Sequence, residues 1–219
     1  MKNCKNIIFD LGGVILDIDY NSTIRAFSNL GISDASLLYS KSSQNNLFDE
    51  LEKGNISDEE FYTGIRKLSN RNISDIEIRD AWNAILIGLP DENVKLITEL
   101  KKNHRLFLLS NTNNIHEKAY RKMIVEKYGS FVFNDIFEKM YLSHHLHLRK
   151  PDPAIFKFVL EDSGLKIEET CFIDDSPQHV ESARKMNIKS FHFTEQSLKK
   201  FITNTFIIDR KNRNQLNDQ

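Results

Sequence analysis

Apolar runs of strand length alternate with helix-like segments over most of the chain. Between these runs, apolar residues recur at helical spacing, as in 152–160, where Asp152 and Pro153 fit the start of a helix. The predicted strands are 6–9, 105–109, 170–173 and 188–193. This alternation predicts an α/β fold in which a parallel sheet is covered by helices on both faces.

The stretch from residue 20 to residue 89 has a different pattern. Residues 57–60 form a capping-box start with apolar positions at helical spacing behind it, and 75–86 predicts another helix. No segment here reads as a convincing strand, so we predict an all-helical insertion. The predicted division is a core over 1–18 and 90–204, an insertion over 19–89 and a polar tail over 205–219.

Composition and charge narrow the possible partners. The chain has 219 residues, of which 40% are hydrophobic and 28% charged, and its net charge is -1. A near-neutral chain without a long apolar run offers no general attraction for nucleic acid and no membrane span. Two cysteines, Cys4 and Cys171, predict no disulfide framework. We expect a monomer in the reducing cytoplasm.

Polar residues follow the predicted strands where each strand ends. Asp10 closes the first apolar run and leads into the pair Gly12-Gly13, a turn in which backbone N–H groups can approach an anion. Ser110 and Asn111 follow the second run and can donate hydrogen bonds to phosphate oxygens. Taken alone, each segment also fits an ordinary polar turn or a helix cap.

Two later segments carry charges that suit a bound phosphate. Lys150 precedes a proline, which holds its backbone extended and fixes where its side chain starts. Asp174 and Asp175 are adjacent acids at the end of an apolar run, so they repel each other and are expected to recruit a cation. Oxygen ligands of this kind suit Mg²⁺. One of the two acids also fits as the cap of a helix starting near Ser176.

Together and in this order, the four segments resemble the signature motifs of the haloacid dehalogenase superfamily of hydrolases. The resemblance spans about residues 5 to 195. The chain is also similar to the branch that contains bacterial α-glucose-1-phosphatase, through the segments 17–19 and 111–113. The segments that carry it are 9–14, 109–112, 149–152 and 172–176. The resemblance implies a three-layer, Rossmann-like core and a helical cap formed by the insertion.

The resemblance also implies a Mg²⁺-dependent phosphatase that forms an aspartyl-phosphate intermediate. Asp10 would be the nucleophile and a metal ligand. Asp175 would be the direct acidic ligand, Asp174 a direct or water-mediated one, and the backbone carbonyl of Gly12 a third. The phosphoryl group would be held by Gly12, Ser110, Asn111 and Lys150, and Lys150 would also stabilise the transition state.

Gly12 departs from the family pattern. Phosphatases of this superfamily usually carry a second aspartate there, as general acid and base. Its loss favours a substrate whose leaving group needs little protonation, such as a sugar 1-phosphate. Asp17 or Asp19 could supply a proton indirectly.

His147 is a second departure, because related sequences tend to have glycine there. His144, His145 and His147 could suggest a metal site, but no acid or cysteine follows them at a matching spacing.

Two other functions stay open from the sequence. A 2-haloacid dehalogenase would use the same nucleophile on carbon, without a metal, although the pair Asp174-Asp175 argues against it. A catalytically impaired protein that binds a phosphorylated metabolite would explain Gly12. The leading prediction is a phosphatase for a small phosphorylated metabolite.

Overall fold

A five-stranded parallel sheet lies at the centre of the protein in a computed structural model that describes residues 4–33, 35 and 46–205. Its strands are β1 (Asn6–Phe9), β4 (Arg105–Ser110), β5 (Lys139–Leu142), β6 (Thr170–Asp174) and β7 (Lys189–His192). Their order is β5-β4-β1-β6-β7, with all neighbours parallel. The four predicted strands are present, and β5 is a fifth that the sequence pattern did not reveal.

Helices cover the sheet and form the segment that follows β1. They are α1 (Tyr20–Asn29), α2 (Asn46–Glu52), α3 (Asp58–Arg66), α4 (Asp75–Asn83), α5 (Asp91–Lys101), α6 (Asn114–Tyr128), α7 (Phe133–Ile136), α8 (Ser143–Leu146), α9 (Pro153–Asp162) and α10 (Pro177–Lys185). A helical segment over 198–205 ends the described part of the chain. Apolar side chains are buried against both faces of the sheet, which explains why β1, β4 and β6 read as continuous apolar runs. The predicted α/β, Rossmann-like fold is confirmed.

Helices α1 to α4 share an apolar cluster of their own. Phe27, Phe48 and Phe61 surround Trp82, and all four side chains are fully buried. Ser57 forms the predicted capping box with Glu60. The prediction that 19–89 is a separate cap domain stays a prediction.

The prediction of no strand in this stretch is wrong at one place. β2 (Asp17–Ile18) pairs antiparallel with β3 (Leu86–Gly88). Both strands are short and partly exposed, and their pairing joins segments far apart in the chain. No local periodicity could have revealed it.

Cys4 and Cys171 are joined as a disulfide, with their Cα atoms 5.7 Å apart. The sequence predicted no disulfide framework, and it did not predict this single bond. The reason is that β1 and β6 are neighbours, with Ile7 beside Cys171 in the sheet, and this long-range register is not visible in the sequence.

Two further expectations concern the ends of the chain and the membrane. The predicted polar tail lies outside the described residues, apart from residue 205. Within 4–33, 35 and 46–205, no helix has both the length and the apolar character that crossing a bilayer requires.

Candidate active site

The predicted site residues lie at one edge of the sheet, where three strands end together. The sheet register places Phe9 beside Leu108 on one side and Ile173 on the other. Three predicted residues therefore meet at the same edge of the sheet: Asp10 directly follows β1, Ser110 ends β4 and Asp174 ends β6. This is the edge at which open parallel sheets bind ligands.

Lys150 is the charged centre of this edge. Its side chain is fully buried, and its Nζ donates to Asp10 Oδ1 and to Asp174 Oδ2, each at 2.6 Å. The third donor of the ammonium group reaches the Leu109 carbonyl oxygen at 2.9 Å. A buried ammonium group is stable only when it is paired in this way. The structure thus brings Asp10 and Lys150 into direct contact, although 140 positions separate them.

Asp174 is held on both carboxylate oxygens. Oδ1 accepts a hydrogen bond from the Ser176 N–H at 2.7 Å, and His179 Nδ1 lies 3.0 Å from the same oxygen. Burial opposes the charged form of Asp174, but Lys150 and His179 outweigh it and hold the pKa of this carboxyl below its usual range. Asp174 therefore fixes the backbone that leads into α10 and orients Lys150 at the same time.

Asp175 approaches the site from the other side. A Cβ atom added to Gly13 would lie 2.4 Å from Asp175 Oδ2, and Gly13 has a φ of 79°. Both facts require glycine at this position. The double glycine after β1 therefore admits the Asp175 carboxylate close to the backbone.

The three acids form a group that fits a divalent cation. Carboxylate oxygens of Asp10, Asp174 and Asp175 all lie within 4.8 Å of one another. Octahedral Mg²⁺, with oxygen ligands at 2.0–2.1 Å, places those ligands about 2.9 Å to about 4.1 Å apart. The donor set contains only oxygen atoms, as Mg²⁺ prefers, and a small adjustment of the side chains closes the remaining difference.

The charge of Asp10 depends on its neighbours. Burial raises the pKa of Asp10, the negative charges of Asp174 and Asp175 raise it further, and Lys150 opposes them. A cation bound by the three carboxylates would favour the ionised form, which is the form that can act as a nucleophile.

Asn111 positions Lys150. Its Nδ2 donates to the Lys150 carbonyl oxygen and its Oδ1 accepts from the Lys150 N–H, both at 2.8 Å. The side-chain amide predicted to bind phosphate is therefore engaged by protein backbone. Ser110 is buried beside Asp10, and its hydroxyl makes only a 3.4 Å contact with the Asn111 carbonyl oxygen. This weakly held hydroxyl is the better donor to a phosphoryl oxygen.

A pocket opens above the acids and receives side chains from the helical segment. Its lining includes Asp10, Gly12, Ser110 and Asp175, together with Tyr20 and Glu52 from α1 and α2. Apolar side chains close the other side: Leu16, Ile18, Ile85 and Leu86. The pocket therefore has mixed polar and apolar walls around the carboxylates.

Arg149 connects the pocket to helix α2. Its guanidinium lies 2.9 Å from Asp49 Oδ1 and 2.8 Å from Glu52 Oε2, and Glu52 is buried. Sequence reasoning missed Glu52 and Tyr20 because nothing in their local pattern distinguishes them from helix residues. Arg149 precedes Lys150 in the segment 149–152, and this position was the available signal that it lies near the site.

The alternative proton donors do not reach the pocket. Asp19 caps α1, accepting from the Asn21 N–H at 3.0 Å and the Ser22 hydroxyl at 2.6 Å. Asp17 is exposed, and it lines a separate depression. Gly12 lines the pocket, and a Cβ added there would meet only the end of Ile18, at 3.3 Å.

The chain matches a family model described as haloacid dehalogenase-like hydrolase over residues 7–193. It is 34% identical to a D-ribitol-5-phosphate phosphatase of Bacteroides thetaiotaomicron, covering 85% of this chain and 90% of that protein.

Two solved structures are similar over most of their length. One is a haloacid dehalogenase-family enzyme of Bacteroides thetaiotaomicron in complex with magnesium and inorganic phosphate. It has a TM-score of 0.76 and 35% identity and covers 88% of this chain and 96% of its own. The other is a predicted hydrolase of the same type from Porphyromonas gingivalis, with a TM-score of 0.82 and 31% identity. That match covers 92% of this chain and 97% of the other.

Proposed function

The chain belongs to the haloacid dehalogenase-like hydrolases, and on this basis we propose that it is a Mg²⁺-dependent phosphatase of small phosphorylated metabolites. The observation that carries the proposal is the convergence of Asp10, Asp174 and Asp175 beside the buried Lys150. The relative from Bacteroides thetaiotaomicron, named as a phosphatase of a sugar alcohol phosphate, supports the same reaction class.

In the proposed reaction, an Asp10 carboxylate oxygen attacks phosphorus. The bond from phosphorus to the ester oxygen breaks, the leaving oxygen takes up a proton from solvent to give the alcohol, and an aspartyl-phosphate remains. Water then attacks phosphorus and gives a proton to solvent, the bond to Asp10 breaks, and inorganic phosphate is released. Dividing the reaction into two steps replaces one difficult attack by water with two easier displacements.

The residues around Asp10 have distinct tasks in this scheme. The Lys150 ammonium group holds Asp10 in place and offers positive charge to the phosphoryl oxygens as negative charge develops. Ser110 donates a hydrogen bond to one of these oxygens. Asp10, Asp175 and the Gly12 carbonyl would hold Mg²⁺, with Asp174 as a direct or water-mediated partner. The ion would supply charge neutralisation between the carboxylate and the phosphate.

We propose a phosphorylated sugar or sugar alcohol as the substrate. Buried Glu52 and partly buried Tyr20 give the pocket polar groups opposite the acids, which suits a substrate with several hydroxyl groups. Gly12 removes the usual acid and base, which favours a sugar 1-phosphate. The named relative instead favours an alkyl ester such as D-ribitol 5-phosphate.

A phosphate-release assay with Mg²⁺ tests both levels of the proposal. Steady turnover that EDTA and Asp10→Asn abolish supports the phosphatase, and no turnover of any phosphate ester contradicts it. A higher kcat/KM for α-glucose 1-phosphate than for D-ribitol 5-phosphate supports the leaving-group argument. Equal values contradict that argument while leaving the phosphatase intact.

Two readouts separate the other functions. A 2-haloacid dehalogenase would release halide from a 2-haloacid with EDTA present. A catalytically impaired binding protein would release at most one equivalent of phosphate in the phosphate-release assay. The three converging carboxylates favour the phosphatase over the dehalogenase, because an aliphatic halide has no use for Mg²⁺. We retain a cytoplasmic monomer as a proposal.

A further inference from the structure

A second group of metal-ligating side chains lies between helices α6 and α8, outside the lining of the pocket. His144 Nε2 is 3.0 Å from Glu117 Oε2, and His145 Nε2 is 3.2 Å from the same oxygen. The three ligand atoms lie within 4.8 Å of one another. We propose that Glu117, His144 and His145 bind a transition-metal dication of the Zn²⁺ type.

The geometry suits such an ion. Tetrahedral Zn²⁺ with ligand bonds of 2.0–2.1 Å places neighbouring ligand atoms about 3.3 Å to about 3.4 Å apart. The two observed separations are only a few tenths of an ångström shorter. Two imidazole nitrogens and one carboxylate oxygen are typical Zn²⁺ ligands, whereas Mg²⁺ prefers oxygen alone. The site is therefore chemically distinct from the carboxylate group around Asp10.

His144 would bind the ion through Nε2, and the proton on this nitrogen would be released to solvent or would move to Nδ1. The residue is buried, and its Nδ1 has no hydrogen-bond partner in the described structure. Nε2 is hydrogen-bonded to Glu117. A bound ion would take the place of this hydrogen bond.

Arg121 orients the carboxylate. Its Nε donates to Glu117 Oε1 at 2.6 Å, which leaves Oε2 for the two histidines. Burial opposes ionisation of Glu117, but the hydrogen bonds from His144 and Arg121 outweigh it and lower the pKa of Glu117 to about 2. Arg121 thus acts as an outer partner of the kind that commonly fixes metal ligands, and its positive charge moderates the affinity.

His147 does not belong to the site, although the sequence groups it with the other two. Its Nδ1 lies 2.9 Å from the Lys53 carbonyl oxygen. Its φ of 55° places it beyond the end of α8, in a backbone conformation that asparagine also tolerates. His147→Asn is therefore a matched control, because it removes a nearby imidazole without removing a proposed ligand.

The experiment is a Zn²⁺ titration by calorimetry, on protein stripped with EDTA and returned to excess Mg²⁺. We expect one equivalent of Zn²⁺ to bind to the wild type, to His147→Asn and to Asp175→Asn. The affinity should fall at least tenfold in His145→Ala and in Glu117→Gln, since losing even an outer partner typically costs about 10–100-fold. The side chain of His145 is 58% exposed, so its removal is compatible with folding.

Thermal unfolding gives a second readout that needs no activity. Zn²⁺ should raise the Tm of the wild type and leave that of His145→Ala unchanged, because an ion that binds only the folded state stabilises it. Two results overturn the proposal: no Zn²⁺ binding in the presence of Mg²⁺, or binding that Asp175→Asn abolishes and His145→Ala preserves. Neither result bears on the phosphatase, so the two proposals fail separately.

Discussion

Replacing Lys150 with methionine tests how the buried charges of the active site are held together. The substitution keeps most of the side-chain volume but removes the ammonium group. In the wild type, the Lys150 Nζ contacts Asp10 and Asp174 at 2.6 Å each, and the Lys150 side chain is fully buried. We expect Lys150→Met to fold with reduced stability and to lose most of its activity.

The size of the loss follows from these contacts. At an effective dielectric constant of about 20, the Lys150 ammonium group and the ionised Asp174 carboxylate, 2.6 Å apart, interact by about 6 kcal/mol, most of which desolvation offsets. Removing one partner of a buried pair typically costs about 3–5 kcal/mol, because the remaining charge is uncompensated. The catalytic loss should be about 10²–10³ in kcat, as for removal of one charge-stabilising donor.

The stability deficit should depend on pH. Without the ammonium group, the pKa values of both buried carboxyls rise, so the folded variant binds more protons than the unfolded chain. The stability of the variant then falls as pH rises. Its stability deficit relative to the wild type therefore shrinks as pH is lowered from about 7 to about 5. Mg²⁺ should restore part of the stability by compensating Asp10.

Urea unfolding with EDTA and with Mg²⁺ measures the stability, and phosphate release measures kcat. Lys157→Met is the matched control, because its side chain is 70% exposed and its ammonium group lies 3.9 Å from the equally exposed Glu161 carboxylate. If Lys150→Met unfolds at the same urea concentration as the wild type in EDTA at neutral pH, the ion-pair reasoning is refuted.

Three further substitutions test other parts of the site. Gly13→Ala would place a Cβ 2.4 Å from Asp175 Oδ2, so the Mg²⁺ concentration for half-maximal activity should rise more than tenfold. Gly129→Ala has a similar positive φ in open space, and its Mg²⁺ response should match that of the wild type. Gly12→Asp restores an acid and should raise kcat for alkyl phosphates by up to about 10⁴-fold, with little effect on aryl phosphates; an equal change for both classes contradicts this role. Burial lowers the pKa of His116 to about 4, so wild-type stability should fall by about 3 kcal/mol as pH drops from about 6.5 to about 4. His116→Gln should flatten this pH dependence of stability, as measured by urea unfolding at several pH values. An unchanged pH dependence would show that other groups cause it.

The sequence predicts the parts of the molecule that local chemistry determines. The apolar runs of β1, β4 and β6 are detectable because helices cover both faces of the sheet. The acids at the ends of these strands are detectable because a charged side chain next to a buried run is unfavourable unless it is paired or binds a ligand. Ser57 is detectable as a helix cap for a similar local reason.

Features that arise from long-range packing were not predictable in this way. The pairing of β2 with β3, the contact of Cys4 with Cys171 and the buried position of Glu52 depend on segments far apart in the chain. The contact of the Asn111 amide with the Lys150 backbone is another such feature, and phosphate binding by Asn111 stays a prediction. No acid stands near the histidines of α8 in the sequence, and the fold supplies Glu117 from helix α6.

In the proposed mechanism, Asp10 captures a phosphoryl group while neighbouring carboxylates hold a divalent ion. Mass spectrometry of peptides from protein quenched with acid during turnover of a phosphate ester tests this capture. We expect one phosphorylated peptide, containing Asp10, which forms with Mg²⁺ and disappears with EDTA or in Asp10→Asn. Phosphate on another residue, or hydrolysis that continues unchanged in Asp10→Asn, would contradict it.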